Sequence, residues 1–152
     1  GNYRFTNLQA AVGLAQLERL EEFVERKRRM GQYYTERLQE VEGLQLPVTK
    51  TDYAENIYWV YGLVLNREIQ ADNRIVQKML AERGVGTRTF FWCMHEQPVY
   101  RNMGLFLEDT YPVAEYLARK GFYIPSGLAL TMEQMDIVIY VLKGVMEQIK
   151  RY

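Results

Sequence analysis

Ile57–Leu65 reads IYWVYGLVL, built entirely of aromatic, aliphatic and glycine residues. Aromatic and β-branched side chains fit a pleated surface better than a helix, so this run is predicted to be a buried strand. Helical patterns flank it on both sides. Upstream, Thr6-Asn7-Leu8-Gln9 has the form of a capping box, in which a hydroxyl and a side-chain amide satisfy free amides at a helix start. Leu17, Leu20, Val24, Met30, Tyr34, Leu38 and Val41 then recur mostly every three or four residues, and Gly43 is the natural stop. A helix of roughly 35 residues exceeds the usual span, so a kink near Gly31 or cover from outside the chain is expected. Downstream, Asp72 caps a helix through Glu82 that Gly84 ends, and Val85–Arg88 reads as a short strand. Pro112 opens another helix stopped by Gly121, and Phe122–Ile124 forms a brief strand before Pro125. Thr131-Met132-Glu133-Gln134 is a second capping box, starting a last helix to about Lys150. The strands are too few and too short for a doubly wound sheet. The expected fold class is α+β: a long N-terminal helix, and helices covering one face of a short, mainly antiparallel three-stranded sheet.

The whole of 152 residues reads as a single domain, with no repeat or internal linker. Lysine plus arginine and aspartate plus glutamate balance at 19 each, so no net field draws the chain to nucleic acid or anionic lipid. The basic run Arg26–Arg29 lies between acidic turns and reads as a solvated face. With one cysteine, Cys93, and one histidine, His95, there is no internal disulfide and no zinc-ligand spacing. A reducing, cytoplasmic setting is expected. No apolar run reaches membrane-spanning length. The abrupt start on Gly1 suggests a piece cut from something longer.

P-loop, dinucleotide, nucleophile-elbow and HExxH motifs are missing, and two polar clusters remain. In GNYRFTNLQAAVG, Gly1–Gly13, Asn2 and Arg4 precede a helix start, whose free amides and dipole favour a phosphate. In GVGTRTFFWCMHEQPVY, Gly84–Tyr100, three consecutive aromatics, Cys93 and His95 crowd into a loop. Aromatic walls beside a polar tip suit a sugar or flat ring, although Phe90, Phe91 and Trp92 could equally plug the core.

GNYRFTNLQAAVGLAQLERL, Gly1–Leu20, then GVGTRTFFWCMHEQPVY and YPVAEYLARKGFYIPSGLALT, Tyr111–Thr131, resemble, in order and over nearly the whole chain, the DegT/StrS-type nucleotide-sugar aminotransferases. The likeness is strongest to members that aminate a GDP-linked 4-keto-6-deoxyhexose. Thr89 and Cys93 depart from it, standing where many members carry proline. The resemblance implies the small C-terminal domain of an aspartate-aminotransferase-type fold. It also implies pyridoxal 5'-phosphate as cofactor, held by a Schiff-base lysine in a large domain absent from residues 1–152. Lys27, Lys50, Lys78, Lys120, Lys143 and Lys150 stand in no such motif, so no catalytic residue is assigned here.

In the complete enzyme, an amino group would pass from glutamate to the cofactor and then to the sugar's keto carbon. By the same resemblance Asn2 contacts the cofactor phosphate of the other subunit of a homodimer, Arg4 supports it, and Tyr3 lines the pocket. Arg88 would meet the donor carboxylate or a substrate phosphate, or else form a surface ion pair. Phe91, Trp92 and His95 would face the hexose or nucleotide, or else His95 is a hydrogen-bonded histidine of the core. Two alternatives stay open: a dimerisation or binding module without activity, and a sugar 3-dehydratase of the same fold.

Overall fold

The computed structural model describes residues 3–150, and Asn2 lies outside them. Its elements run α1 (Asn7–Leu17), α2 (Leu20–Leu38), β1 (Leu44–Gln45), β2 (Tyr61–Leu65), α3 (Asn73–Ala81), β3 (Arg88–Thr89), α4 (Pro98–Asn102), α5 (Pro112–Lys120), β4 (Gly121–Ile124) and α6 (Met132–Ile149). The α+β class stands, with four strands rather than three. They form one antiparallel sheet in the order β1-β2-β4-β3.

Capping chemistry sets the helix starts as the sequence reads. Gln9 N–H donates to Thr6 Oγ1 at 3.3 Å while Thr6 N–H donates to Gln9 Oε1 at 2.9 Å. Thr131 and Gln134 repeat the exchange at 3.2 and 3.0 Å, and Asp72 Oδ1 accepts Ile75 N–H at 3.0 Å. The expected long first helix is two helices, and the break falls at Glu18–Arg19 rather than near Gly31. There Arg19 leaves helical geometry at φ −111°, ψ 11°, and its guanidinium clamps Glu22 through two 2.9 Å bonds. Gly31 serves another need. A Cβ there would stand 2.3 Å from the Tyr58 ring, so glycine lets the 56–59 loop press flat on α2.

That loop also shortens the predicted strand. Ile57–Leu65 is strand only from Tyr61, because Tyr58 adopts φ +51° and turns the chain before the ladder begins. Tyr58 N–H donates to Asn56 Oδ1 at 2.7 Å, and the Tyr58 ring stacks on Tyr61 at 5.8 Å. Such a conformation persists in a residue other than glycine only when its surroundings over-determine it.

One face of the sheet is the core. Tyr61, Leu63, Leu65, Phe122 and Ile124 pack against Met30, Tyr34 and Leu38 of α2, Val76 and Leu80 of α3, and the α6 row from Met135 to Ile149. Cross-strand pairing puts Tyr61 opposite Ile124 and Leu63 opposite Phe122, so these side chains share that face. Gly62 and Gly121 fall on the opposite face, where the Phe90 ring lies over both: an added Cβ would meet it at 3.0 and 2.3 Å. The buried Asn73 amide donates to the carbonyls of Ala118 and Gly121 at 2.9 and 2.7 Å, tying α3 to the α5–β4 junction. Among the described residues, no helix is long and apolar enough to cross a membrane.

Helix α1 stands apart. Leu8 and Val12 point one way, Leu14 and Leu17 nearly the opposite way, and none of its residues is buried. A helix apolar on opposite sides needs cover on both.

Candidate functional site

The antiparallel pairing of β3 with β4 sets Arg88 opposite Tyr123. Both therefore project from the sheet face away from the helical core, beside Phe90, two residues on. Gly86, Thr87, Arg88, Tyr123, Ile124, Pro125 and Ser126 line a groove of about 340 Å³ on this side. Arg88 is exposed and forms no salt bridge among the described residues, so its guanidinium is available to an anion. A larger cavity of about 550 Å³ opens between α2 and the start of α6, lined by apolar Met30, Leu128, Met132 and Met135 with Arg26 and Arg29 among its other walls. It coincides with none of the candidate site residues, whereas the Arg88 groove does.

The aromatic loop divides by role. Phe90 is the plug over the glycine pair. Phe91 is 78 % exposed and Trp92 38 % exposed, and the Trp92 ring is flanked by the guanidinium carbons of Arg119 and Arg74 at 5.0 and 5.6 Å from its centroid. The two cations hold the indole through its π-face and leave part of its surface open.

His95 is placed differently from a sugar-facing group: it is only 6 % exposed and is directed at α5. Facing a carboxylate, its Nε2–H donates to Glu115 Oε1 at 3.0 Å, and its ring meets Tyr111 edge-on at 4.8 Å. Its carbonyl accepts Arg101 Nε–H at 2.8 Å. Beside it, Arg119 donates to Glu96 Oε1 at 2.7 Å, which raises the guanidinium pKa further. Burial pushes the neighbouring Cys93 thiol up, away from thiolate. The cluster thus ties the loop to α5.

Glu115 carries that tie. The Tyr111 N–H, at 2.8 Å, and then the His95 ring hold its carboxyl below the usual glutamate range. A depressed pKa contributes stability above the ordinary value of about 4.3, and the contribution is lost as pH falls through the lower folded-state value. The protection of the Tyr111 amide against hydrogen exchange should therefore fall over that acid window, and Glu115→Gln should remove the dependence. Protection that stays constant there in the wild-type chain would contradict the role.

At the N-terminus Tyr3 and Arg4 are exposed on the approach to α1. The sequence reading missed Lys27 and Trp59. Lys27 sits half-buried on α2, its Nζ donating to the carbonyls of Trp59 and Ser126, and burial pushes its pKa down. Lys27 lies in a basic run read as a solvated face and Trp59 in a stretch read as strand, so only the contacts of the folded chain join them.

The lysines decide whether this chain fits a pyridoxal group on its own. Lys27 and Lys120 are committed to backbone carbonyls, Lys150 pairs with Glu42, and Lys50, Lys78 and Lys143 are exposed outside the groove. Among the described residues no lysine lines the Arg88 groove.

Comparison with known proteins agrees with the motif reading. The chain is 32 % identical over 148 residues to GDP-perosamine synthase of Caulobacter vibrioides, covering 95 % of this chain and 38 % of that protein. The Vibrio cholerae GDP-perosamine synthase is 28 % identical over 144 residues, with 94 % and 38 % covered. Among solved structures, the aminotransferase TlmJ from Streptoalloteichus hindustanus superposes with a TM-score of 0.84 at 25 % identity, over 99 % of this chain and 39 % of that one. DesV of S. venezuelae gives 0.82 at 27 % identity, over 95 % and 37 %. The chain thus spans well under half the length of the relatives it matches. The model of the DegT/DnrJ/EryC1/StrS aminotransferase family matches residues 1–143, and the chain belongs to that family.

Proposed function

We propose that this chain is the small C-terminal domain of a pyridoxal-phosphate-dependent aminotransferase that aminates a nucleotide-linked keto sugar with glutamate. The sugar is a GDP-linked 4-keto-6-deoxyhexose, made for polysaccharide or O-antigen synthesis, and the enzyme is a cytoplasmic homodimer. The observation that carries the reading is the exposed Arg88, without a salt bridge among the described residues, at a groove beside partly open aromatics, in a chain of this family. The GDP-perosamine synthases among its relatives support the choice of nucleotide and sugar.

Each residue of this chain then binds or orients. Arg88 holds a phosphate of the nucleotide sugar or the donor carboxylate with its planar fork. Phe91 and Trp92 offer ring faces to the sugar or base. His95, with Glu115, holds that loop in place instead of touching sugar. Asn2 contacts the partner subunit's cofactor phosphate with Arg4 in support, Tyr3 lines the same pocket toward the substrate, and α1 is covered by the partner on one side and the remainder of its own subunit on the other. The cofactor supplies the amino-transfer chemistry from a lysine beyond this chain.

The test is direct: the complete protein, given pyridoxal phosphate and glutamate, should exchange the ketone oxygen of the GDP-linked sugar for an amino group, read by mass spectrometry. Loss of water from the sugar without amination would favour the dehydratase alternative. No change to the sugar under any donor would leave only a binding module.

A further inference from the structure

We propose that Lys27 is a positioning residue that latches the Trp59 loop to the wall of the Arg88 groove, and so sets the groove's shape for the nucleotide sugar. The inference rests on the functional reading above for the identity of the ligand. Lys27 Nζ reaches carbonyls 32 and 99 residues away in sequence, those of Trp59 and Ser126. Two turns further along the same face of α2, Tyr34 OH donates to the carbonyl of Pro125 at 2.9 Å. One helix face thus grips two consecutive carbonyls, and both residues line the groove.

On its other side the latch holds a loop that is already braced. Tyr58 is fixed at φ +51° against Gly31 and Tyr61, and the next residue, Trp59, is left 71 % exposed. A large indole in water on a rigid loop, bound through its backbone to the groove wall, is placed to extend the binding surface.

The choice of lysine for this position is informative. An ammonium has three donors and can serve two carbonyls at once, which no apolar side chain of similar length can do. It forms no salt bridge among the described residues, and a half-buried cation without a carboxylate is a poor means of packing a helix. Its depressed pKa agrees with that cost. Bonded to the carbonyl of Ser126, which lines the groove with Arg88, the ammonium adds positive charge beside it.

Two measurements test the latch. In the complete protein, Lys27→Met should speed amide hydrogen exchange at 59–60 and 126–128 at least tenfold while leaving α6 unchanged. In the complete enzyme, the same variant should raise KM for the nucleotide sugar about tenfold with kcat within twofold, and Lys27→Arg should recover most of the loss. Unchanged exchange in those segments overturns the latch, whatever the enzyme's activity. Faster exchange with unaltered KM and kcat overturns its role in binding, leaving Lys27 as packing. If the wild-type enzyme transfers no amino group, the functional reading fails instead, and the exchange result still decides the latch.

Discussion

Placing aspartate on either side of α1 should break the assembled enzyme. Leu8 and Val12 lie on one side, Leu14 and Leu17 on the other, and within residues 3–150 all four are more than half exposed. Covering a leucine or valine contributes about 1.5–3 kcal/mol, and a carboxylate buried without a partner costs more than the apolar contact it replaces. In the proposed homodimer, of the two double variants Leu8→Asp with Val12→Asp and Leu14→Asp with Leu17→Asp, the one on the partner-facing side should yield monomer and the one on the side facing its own subunit should yield aggregate, by light scattering. Two faces are mutated separately because one covering body cannot account for both. If both double variants keep the wild-type mass and activity, α1 has no structural partner and the proposed dimer contact is wrong.

Arg88→Met should lower kcat/KM of the complete enzyme by roughly 10- to 150-fold, since a hydrogen bond to a charged group contributes about 1.5–3 kcal/mol. Methionine keeps the length and apolar stem, so the Arg88–Tyr123 strand pairing and the groove floor survive. Lysine should recover part of the loss through charge alone, without the paired donors of the guanidinium. Following the cofactor's visible spectrum with each substrate alone then locates the anion. Slowing confined to the keto-sugar half-reaction places a phosphate at Arg88; slowing confined to the glutamate half places the donor carboxylate there. Wild-type rates in both halves would remove Arg88 from the site.

What could be read from the sequence were the features that repeat or punctuate. The two capping boxes, the Asp72 cap, Pro112 at a helix start and Gly84 at φ +81° all act through neighbours in the chain, so local spacing reveals them. β1 escaped because a two-residue strand has no period to detect, and it exists only through its pairing with Val64 and Leu65. Gly31 invited a kink because an interior glycine weakens an isolated helix, yet here it makes room for Tyr58, 27 residues on. The break came instead at Glu18–Arg19, with no glycine or proline to announce it.

The site divides along the same line. Arg88, Phe91 and Trp92 were proposed from residue type and motif, and the structure sets Arg88 at a groove and leaves both rings partly open. His95 carried the same motif signal, but its direction depends on Glu115, twenty residues away on α5. Nothing local shows which way a loop histidine turns. Lys27 and Trp59 are joined only by the folded chain, which is why a basic run on α2 read as a solvated face conceals one residue that turns inward.

The account divides labour between a binding surface in this chain and an imine-forming lysine elsewhere in the enzyme. Borohydride trapping with pyridoxal phosphate, followed by peptide mass spectrometry, tests that division directly. The complete enzyme should carry one reduced cofactor per subunit on a lysine outside residues 1–152, and the 152-residue chain alone should carry none in stoichiometric amount. One full equivalent on Lys27, or on any other lysine of this chain, would contradict it.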